Sequence, residues 1–312
     1  RKDDQMGQSF WFKTKDYTDL YIKRWSTENA KPKAIIQISH GMAEHIERYD
    51  SFATFLTNKG FTVYGNDHRG HGQTGLKQGL LGYFDQNNGF FKVVNDLHQI
   101  NVHIKEEHPH VPIFLFGHSM GSFIARSFIQ KYSHSIDGVI LSGTGYYPDS
   151  ITIPGKLLSM LLPSKKPSKI MNRLAFGNYN KRVTGHKTAY DWISSDELEV
   201  EKYLKDPLSG FIPTARFFYD LMSGLNQMQK QNHSIRKDLP MLFISGSDDP
   251  VGNYEKGVWK SVQLYKDVGI KSIDTHLFKG ARHEILNDSV KEEVHSVIYN
   301  WINQQLSNIK HS

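Results

Sequence analysis

The sequence of 312 residues predicts an α/β fold with a mainly parallel central sheet flanked by helices. Three observations predict this class: short apolar runs recur along the chain, several of them are continuous rather than alternating, and helical patterns lie between them. Continuous apolar runs are typical of strands buried on both faces of a parallel sheet. Strands that alternate with helices indicate that the helices pack against the faces of that sheet.

Seven strands and four helices are predicted from these patterns. The predicted strands are Leu20–Trp25, Ala34–Ser39, Phe61–Gly65, Pro112–Phe116, Gly138–Ser142, Met241–Ser245 and Ile273–Phe278. The predicted helices are Tyr49–Asn58, Val93–Ile104, Phe123–Tyr132 and Val290–Leu306. In the first of these helices Phe52, Phe55 and Leu56 share one face, as expected for an amphipathic helix.

The alternation of strands and helices stops between about Pro148 and Leu225. This stretch is rich in Pro, Lys, Ser, Met and aromatic residues. Because a loop of such length without secondary structure is uncommon, we expect several short helices here. We therefore predict a helical cap at residues 148–225, inserted between the first part of the core, residues 1–147, and the second part, residues 226–312.

Composition and charge exclude several classes of protein. The chain has no cysteine, so a disulfide scaffold, a thiolate metal site and a cysteine nucleophile are excluded. Lys and Arg exceed Asp and Glu by 38 to 32, but the basic residues are scattered, and the densest cluster is Lys165, Lys166 and Lys169. We predict no nucleic-acid partner and regard the charge as suited to an anionic surface such as lipid headgroups. No apolar run approaches the length of a membrane span, and the polar residues 1–8 suggest no secretory signal, so we expect a cytoplasmic protein.

The strongest local motif is Gly117-His118-Ser119-Met120-Gly121, which lies between a predicted strand and a predicted helix. This context is typical of a nucleophile elbow, a strained turn that exposes a serine hydroxyl beside the positive end of the following helix. Gly117 and Gly121 would relieve clashes within the turn. The alternative is a chance match in an ordinary loop. We predict Ser119 as the nucleophile.

A serine nucleophile needs a base, and the base needs a carboxylate that orients it. In this arrangement of elements the acid and the histidine follow the serine along the chain. Asp248 and Asp249 come directly after the strand Met241–Ser245, and His283 follows the next strand. Either aspartate could be the acid, and the other would cap the loop or have no role. Among 16 histidines, His283 is selected by its position in the last loop before the last helix.

Two backbone N–H groups are expected to stabilise the oxyanion of an acyl-transfer reaction. Met120, the residue after the nucleophile, would donate one of them. The second would come from the loop after Ala34–Ser39, in which His40 and Gly41 precede Met42. Because glycine lets the backbone approach a substrate closely, we predict Met42 as the second donor. The alternative is an ordinary turn between a strand and a helix.

Taken together, these segments resemble the monoacylglycerol lipase and lysophospholipase group of serine α/β-hydrolases, over nearly the whole chain. The segments that carry the resemblance are Ile38–His45 with Arg48-Tyr49, Asn66–Thr74, Phe116–Gly121, Asp206–Leu208, Gly246–Asp249 and Gly280–Glu284. The elbow matches the group in the His and Met that flank the serine. The combination is far more specific than any single motif.

The resemblance implies an α/β-hydrolase fold with an inserted helical cap and an acyl-enzyme on Ser119. In the group the acid stands three residues after the glycine of its loop, which selects Asp249. Three positions depart from the group: Ser122 often corresponds to a second glycine, Thr74 replaces a serine, and Met42 often corresponds to a smaller residue. Since only the backbone of Met42 would donate, the predicted oxyanion role survives, although the side chain would narrow the site.

A cofactor site is rejected even though Gly70–Gly75 spells a dinucleotide fingerprint after a strand. We expect no helix to begin there, and Asp96 lies inside a predicted helix rather than at the end of a second strand. We therefore predict no cofactor. Residues 67–69 (Asp-His-Arg) are interpreted instead as a polar network that braces the site loops, with His40 as a partner.

A metal site is also rejected. The segment His283–Asn287 begins like a zinc-binding helix but lacks the second histidine of that motif. The pairs His68/His71 and His108/His110 lack a third ligand at a recognised spacing. Surface histidines are the simpler interpretation, so we predict no metal.

The insertion is the best guide to the substrate, because a catalytic triad does not identify it. Ile151–Pro163 is strongly apolar, and the basic segment Ser164–Lys169 follows it. An apolar helix beside lysines suits a transient contact with a membrane surface, which would make the protein peripheral, but a cover over the core explains the pattern equally well. Both interpretations favour one acyl chain in contact with Leu158, Leu161 and Leu162. The resemblance implies a monoacylglycerol or a lysophospholipid as this lipid-like ester.

Other functions remain open at this point. A short-chain carboxylesterase would use the same residues. A peptidase-like hydrolase would need acidic groups in the cap, and Glu197, Glu199 and Glu201 are available but resemble a solvated helix face. A silent binding protein is disfavoured by the intact triad. The sequence does not predict an oligomeric state.

Overall fold

A mostly parallel sheet lies at the centre of the protein, in a computed structural model that describes residues 7–27 and 31–311. Residues 1–6, on which much of the secretory-signal prediction rests, lie outside the described residues. Within these residues the sheet has eight strands in the order β1-β2-β4-β3-β5-β6-β7-β8. The strands are β1 Gln8–Lys13, β2 Asp19–Trp25, β3 Ile35–Ser39, β4 Thr62–Asn66, β5 Ile113–His118, β6 Gly138–Ser142, β7 Met241–Gly246 and β8 Ile273–Phe278.

The predicted parallel sheet is confirmed. Neighbouring strands from β4 to β8 pair in parallel, whereas β1 and β2 form an antiparallel hairpin that pairs with β4 at one edge. Strand β1 was not predicted, because alternate residues of this edge strand are exposed and no buried apolar run marks it.

Ten helices surround the sheet within the described residues, and they include the four that the sequence predicts. They are α1 Asp50–Asn58, α2 Gly72–Gln78, α3 Gly89–Glu107, α4 Met120–Tyr132, α5 Asp149–Met160, α6 Lys169–Phe176, α7 Glu197–Lys205, α8 Ala215–Met228, α9 Lys256–Asp267 and α10 Lys291–His311. The predicted helices correspond to α1, α3, α4 and α10. No helix of the described residues is both long enough and apolar enough to cross a bilayer.

Helix α2 corrects one expectation of the sequence analysis. A helix does begin inside the Gly70–Gly75 motif, at Gly72, so the expectation that none starts there was wrong. The buried carboxylate of Asp67 accepts a hydrogen bond of 2.7 Å from the N–H of Gln73 and so stabilises the first turn. The second argument against a dinucleotide site is unaffected, because Asp96 lies within α3 as expected.

Two apolar layers pack against the two faces of the sheet. In β5, Ile113 and Leu115 join the layer formed with α3, α4 and α8, whereas Phe114 and Phe116 join the layer formed with α1 and α10. Successive residues of a strand point to opposite faces, so a strand that is covered on both sides must be apolar at every position. This is why the predicted runs are continuous.

Four helices occupy the predicted cap. Helix α5 packs against α8, and α8 also packs against α3 and α4 of the core. Helix α8 continues to Met228, so the boundary that we predicted at residue 225 falls inside a helix. The division of the chain into core and cap stays a prediction, and we use "cap" below for residues 148–225.

Candidate active site

Ser119 lies at the sharp turn between β5 and α4. Its backbone has φ +53° and ψ −121°, a conformation that a residue with a side chain rarely adopts. A Cβ atom at Gly117 would lie 2.4 Å from the carbonyl oxygen of Gly121, and one at Gly121 would lie 1.9 Å from that of Ser39. Only glycine fits at both positions, which agrees with the packing expected of an elbow. The turn leaves Ser119 half-buried in the wall of a cavity.

His283 and Asp249 form a buried pair at the same edge of the sheet. The Nδ1 atom of His283 lies 2.9 Å from Oδ2 of Asp249, and the side chains are 5% and 0% exposed. The other carboxylate oxygen of Asp249 accepts a hydrogen bond of 2.8 Å from the N–H of Val251, which fixes the orientation of the carboxylate. Asp248 is exposed and points elsewhere, toward Ser247. Of the two aspartates, the structure thus brings only Asp249 to His283.

The protonation of His283 is controlled by its burial and its partner. Burial disfavours the charged imidazolium, but the negative charge of Asp249 and the hydrogen bond to it outweigh burial and raise the pKa of His283 above its ordinary value. An Nδ1–H that donates to Asp249 leaves Nε2 free to accept a proton on the cavity side. His283 can therefore act as a base that holds its proton strongly once it has taken it.

The loop after β3 approaches Ser119, the predicted nucleophile, closely. A Cβ atom at Gly41 would lie 3.3 Å from the Cβ of Ser119, so the backbone of this loop lies directly beside the elbow. Met42 and Met120, the two predicted oxyanion donors, both border the cavity that also contains Ser119. The structure thus brings the predicted nucleophile, both predicted donors and the predicted base to one cavity.

A buried histidine pair supports this loop from behind, so the interpretation of His68 as a surface histidine was wrong. The N–H of His68 donates to Nε2 of His40 at 3.0 Å, and Nδ1 of His40 lies 2.7 Å from the carbonyl oxygen of Gly41. Burial lowers the pKa of His40 well below its ordinary value and that of His68 to about 3, so both rings are neutral at physiological pH. His40 therefore braces the loop of residues 40–45, which we call the oxyanion loop because it contains the predicted donor Met42. His40 does not exchange protons.

Two other members of the predicted network make separate contacts. Asp67 also accepts a hydrogen bond of 2.8 Å from the N–H of Ile46, which ties the start of α2 to the oxyanion loop. Arg69 contacts Asp96 of α3 at 2.7 Å as well as Asp16 of the N-terminal hairpin, and so joins the antiparallel edge to the core. Their roles are structural.

His118, the residue before the nucleophile, lies beneath His283. The two rings are 4.8 Å apart, and Nδ1 of His118 is 3.4 Å from the hydroxyl of Ser142. Burial lowers the pKa of His118 to about 3, and the nearby His283 contributes in the same direction. A neutral His118 supports the position of His283 without competing for its proton.

A buried ion network connects the oxyanion loop to the loop of residues 280–284, which contains His283. Arg48 donates to Glu44 at 2.8 Å and to both carboxylate oxygens of Glu284 at 2.8 and 2.7 Å. Glu44 also accepts hydrogen bonds from the N–H of Gly41, at 3.1 Å, and from the hydroxyl of Tyr49, at 2.6 Å. These residues belong to motifs of the sequence, but no local pattern pairs them, since Arg48 and Glu284 lie far apart in the chain.

The two carboxylates of this network have pKa values that are shifted in opposite directions. Although burial acts in the opposite direction, Arg48 lowers the pKa of Glu284 to about 2, whereas burial raises the pKa of Glu44. Glu44, His118 and Glu284 lie close enough to share a cation. Because Arg48 already donates to both carboxylates, we assign no ion to this group.

The cavity at Ser119 and His283 has a volume of about 730 Å³. Its walls away from Ser119 and His283 are largely apolar, and Leu158 of α5, a predicted substrate contact, is among the residues that line them. Leu161 and Leu162 do not border the cavity, and Leu161 is 82% exposed, so the substrate contact predicted for these two residues is not seen. Other lining residues that the sequence analysis missed are Phe123, Met171, Phe176, Trp192, Leu221, Met222 and Leu225. Their apolar spacing does not distinguish a cavity wall from ordinary core packing.

Comparisons with known proteins agree with this geometry. A protein-family model described as "Serine aminopeptidase, S33" matches residues 30–290. A protein of monkeypox virus named monoglyceride lipase homolog is 27% identical over 286 residues, which cover 91% of this chain and 94% of the viral protein. Human monoglyceride lipase is 26% identical over 298 residues, which cover 92% of this chain and 87% of the human protein.

Solved structures share the fold over nearly the full length. A thermostable carboxyl esterase from Bacillus coagulans, solved in complex with glycerol, has a TM-score of 0.89 and 28% identity, and the match covers 96% of this chain and 99% of the esterase. A soluble variant of Saccharomyces cerevisiae monoglyceride lipase has a TM-score of 0.77 and 20% identity, covering 98% and 97% of the two chains, and shows the fold alone.

The predicted resemblance is thereby confirmed at the level of the family. The family model covers most of the chain, relatives match it end to end, and the sheet has the arrangement of the α/β-hydrolase structures. The chain therefore belongs to the Hydrolase_4 family of serine α/β-hydrolases, and it is a hydrolase.

Proposed function

We propose that this protein hydrolyses carboxylic esters of single-chain lipids, with monoacylglycerols as substrates, through an acyl-enzyme on Ser119. The observation that carries the proposal is one cavity that contains Ser119 and His283 and extends between apolar walls supplied by the cap. Relatives named monoglyceride lipase, which match more than nine-tenths of this chain, support the choice of substrate class.

In the proposed first step, Oγ of Ser119 attacks the ester carbonyl carbon while His283 takes the hydroxyl proton. Asp249 stabilises the imidazolium that forms, and the N–H groups of Met42 and Met120 stabilise the negative charge on the carbonyl oxygen. The bond between the carbonyl carbon and the alcohol oxygen then breaks, and His283 gives its proton to the leaving alcohol. Water attacks the acyl-enzyme by the same route and releases the fatty acid and Ser119.

The acyl chain is proposed to lie against the apolar side of the cavity. Leu158 of α5 and Leu221, Met222 and Leu225 of α8 form this side, and each methylene buried there contributes about 0.8 kcal/mol of transfer free energy. A long acyl chain therefore gains much more from this cavity than an acetyl group.

The other side of the cavity favours a neutral headgroup. Glu44 and Glu284 border the cavity beside His283, and Arg48 compensates only one of their two negative charges. A phosphodiester placed here would be repelled, whereas the hydroxyl groups of a glycerol ester can donate to carboxylates. This is why we favour monoacylglycerols over lysophospholipids.

A peptidase of this fold would need acidic groups in the cap to bind a substrate amine. The whole cap lies within the described residues, and nothing in it resembles such a site. Glu197, Glu199 and Glu201 all lie on α7, and each is paired with a lysine at 2.5 to 2.9 Å. None of the three borders the cavity. We therefore do not extend the peptidase activity named in the family description to this chain.

We also propose that the cap contacts an anionic membrane surface. Residues 150–190 contain eight Lys and Arg and no Asp or Glu. Large apolar side chains are exposed on the same segment, namely Ile151, Ile153, Leu157, Met160, Leu161, Ile170 and Leu174. Two of these residues, Ile151 and Leu174, also border the cavity, so a lipid could pass from the surface into the site.

The test is hydrolysis of a series of monoacylglycerols of increasing acyl length beside matched lysophospholipids and acetyl esters. We expect the highest kcat/KM with long-chain monoacylglycerols. Ser119→Ala should remove turnover of every ester by a factor of about 10⁴ or more and should also remove labelling by a fluorophosphonate, with the melting temperature unchanged. Turnover retained by Ser119→Ala would overturn the mechanism, and a preference for lysophospholipids or acetyl esters would overturn the substrate assignment.

A further inference from the structure

Besides Ser119 at the elbow, a second residue with a strained backbone lies in the oxyanion loop. Ala43, which follows the proposed donor Met42, has a φ of +53°. A non-glycine residue in this left-handed region is disfavoured by contacts of its Cβ with the backbone, so it persists only where its surroundings hold it. Ala43 is buried and borders the cavity.

The surroundings that hold Ala43 belong to the cap. The hydroxyl of Tyr203, on α7, donates to the carbonyl oxygen of Ala43 at 3.1 Å, and the N–H of Gly210 donates to the same oxygen at 2.9 Å. In the same cap segment Asp206 contacts Nε2 of His45, two residues further along the oxyanion loop.

The core holds the loop on the other side of Met42. The N–H of Gly41 donates to Glu44 at 3.1 Å, and Arg48 holds Glu44 in turn. Met42 therefore lies between an anchor from the core at Gly41 and an anchor from the cap at Ala43. The peptide plane that carries the N–H of Met42 also carries the carbonyl oxygen of Gly41, which lies 2.7 Å from Nδ1 of His40, so this plane is held directly and the backbone is also held on either side of it.

We propose that Tyr203 is a positioning residue for the oxyanion hole: its hydroxyl holds the backbone of Ala43 in the left-handed conformation that aims the N–H of Met42 at the oxyanion. The inference rests on the proposed function and goes beyond it, because it makes the cap part of the catalytic geometry as well as part of the acyl pocket. Without this hydrogen bond the N–H of Gly210 would be the remaining donor to the carbonyl oxygen of Ala43, so Ala43 would relax part of the way toward negative φ and the N–H of Met42 would turn away.

The environment of Tyr203 suits this role. Its ring lies 4.9 Å from the guanidinium of Arg48, so it packs on the ion network that holds Glu44. Burial raises the pKa of Tyr203 well above its ordinary value, so the hydroxyl remains a donor at any working pH.

The first test replaces the hydroxyl alone. Tyr203→Phe keeps the ring over Arg48 and should lower kcat about 10-fold, with KM for a soluble short-chain ester changed less than twofold, because the interaction acts on the transition state. The inhibition constant of a boronic acid that forms a tetrahedral adduct with Ser119 should rise by the same factor. Tyr219→Phe, a cap substitution outside the cavity, is the matched control and should leave kcat unchanged.

The second test restores the strained backbone. Glycine adopts positive φ without the cost of a Cβ atom, so Ala43→Gly introduced into Tyr203→Phe should raise kcat at least threefold over the single variant. A variant that had merely lost folded protein would not recover in this way. Active-site titration with a fluorophosphonate sets the concentration of competent enzyme in each preparation.

Three results would overturn the inference. One is a kcat of Tyr203→Phe within twofold of the parent, and another is the absence of rescue by Ala43→Gly. The third is a loss with glycerol esters but not with aryl esters of the same acid, which would make Tyr203 a headgroup contact. If Ser119→Ala is inactive in the same assays, the proposed function stands and only the inference fails.

Discussion

Single residues of the site carry backbone strain that the rest of the molecule supports. Ser119 and Ala43 both have a φ of +53°, and neither is glycine. Such conformations are unfavourable for residues with a Cβ atom, so contacts elsewhere must offset their cost. For Ser119 these are close backbone contacts allowed by Gly117 and Gly121, and for Ala43 they are hydrogen bonds from the cap.

The choice between two adjacent aspartates is a prediction at this scale. Asp249→Asn should lower kcat by a factor of roughly 10³ to 10⁴, because an amide does not hold the imidazole in the required tautomer and does not stabilise its charge. Asp248→Asn, on an exposed neighbour, is the matched control and should leave kcat within twofold of the parent. Steady-state kinetics with one soluble ester decides the ranking, and a reversed order would show that Asp248 is the acid.

The pH dependence of activity follows from the raised pKa of His283. Only neutral His283 accepts the serine proton, so activity is lost as pH falls through this pKa. Since Asp249 raises the pKa above the ordinary 6.5, kcat/KM should rise with a midpoint above pH 6.5. In Asp249→Asn the main group that opposes burial is lost and only the more distant charges of Glu284 and Glu44 still raise the pKa of His283, so the midpoint of the residual activity should move to lower pH. A parent midpoint at or below 6.5 would contradict the assignment.

At the scale of elements, parallel strands bring distant loops together. The oxyanion loop follows β3, the elbow follows β5, Asp249 follows β7 and His283 follows β8. Because these strands are parallel, their carboxyl ends lie at the same edge of the sheet. The cap helices lie over this edge and complete the cavity.

Two leucines at the end of α5, one in its last turn and one directly after the helix, form a matched pair that distinguishes the cavity from the surface. Leu158 borders the cavity, whereas Leu161, one turn later, is 82% exposed. Leu158→Ser should lower kcat/KM for long-chain monoacylglycerols at least 10-fold and should spare acetyl esters, because it weakens only the contact with the chain. Leu161→Ser should leave both rates in detergent solution unchanged. Equal losses on both esters would show that Leu158 supports the fold generally.

For the molecule as a whole, charge is distributed unevenly. The net charge is +6, and residues 150–190 contribute +8, so the rest of the chain has a net charge of −2. A cationic segment of the cap, residues 150–190, on a chain that is otherwise slightly acidic would orient the protein at an anionic surface, with the exposed apolar side chains of that segment toward the lipid.

This asymmetry predicts salt-dependent binding to vesicles. Lys165→Gln/Lys166→Gln should weaken binding to vesicles of anionic phospholipid about 10-fold at low ionic strength, and the difference should shrink as salt screens the charges. Lys105→Gln/Lys131→Gln removes the same charge from the last turns of α3 and α4, at the opposite edge of the sheet, and is the control. Equal losses in both variants would indicate a nonspecific effect of net charge.

The sequence by itself determined the α/β class, seven strands, four helices and the loops that carry the candidate site residues. These features depend on local patterns, because a buried strand must be apolar at each position and a tight elbow requires glycine on both sides of the serine. Two elements lack such a pattern, each for a local reason: the half-exposed β1 has no buried apolar run, and the first turn of α2 depends on the carboxylate of Asp67.

Only the tertiary structure decided which distant residues meet. Arg48 and Glu284 are 236 positions apart, and Tyr203 and Ala43 are 160 positions apart, so no local pattern predicts either contact. The separation of Leu158 from Leu161 likewise depends on how α5 packs against α8, since both residues are equally apolar. Sequence patterns predict the secondary structure and burial of each residue within its own element. The geometry of the site, in contrast, arises from contacts that form only when those elements pack.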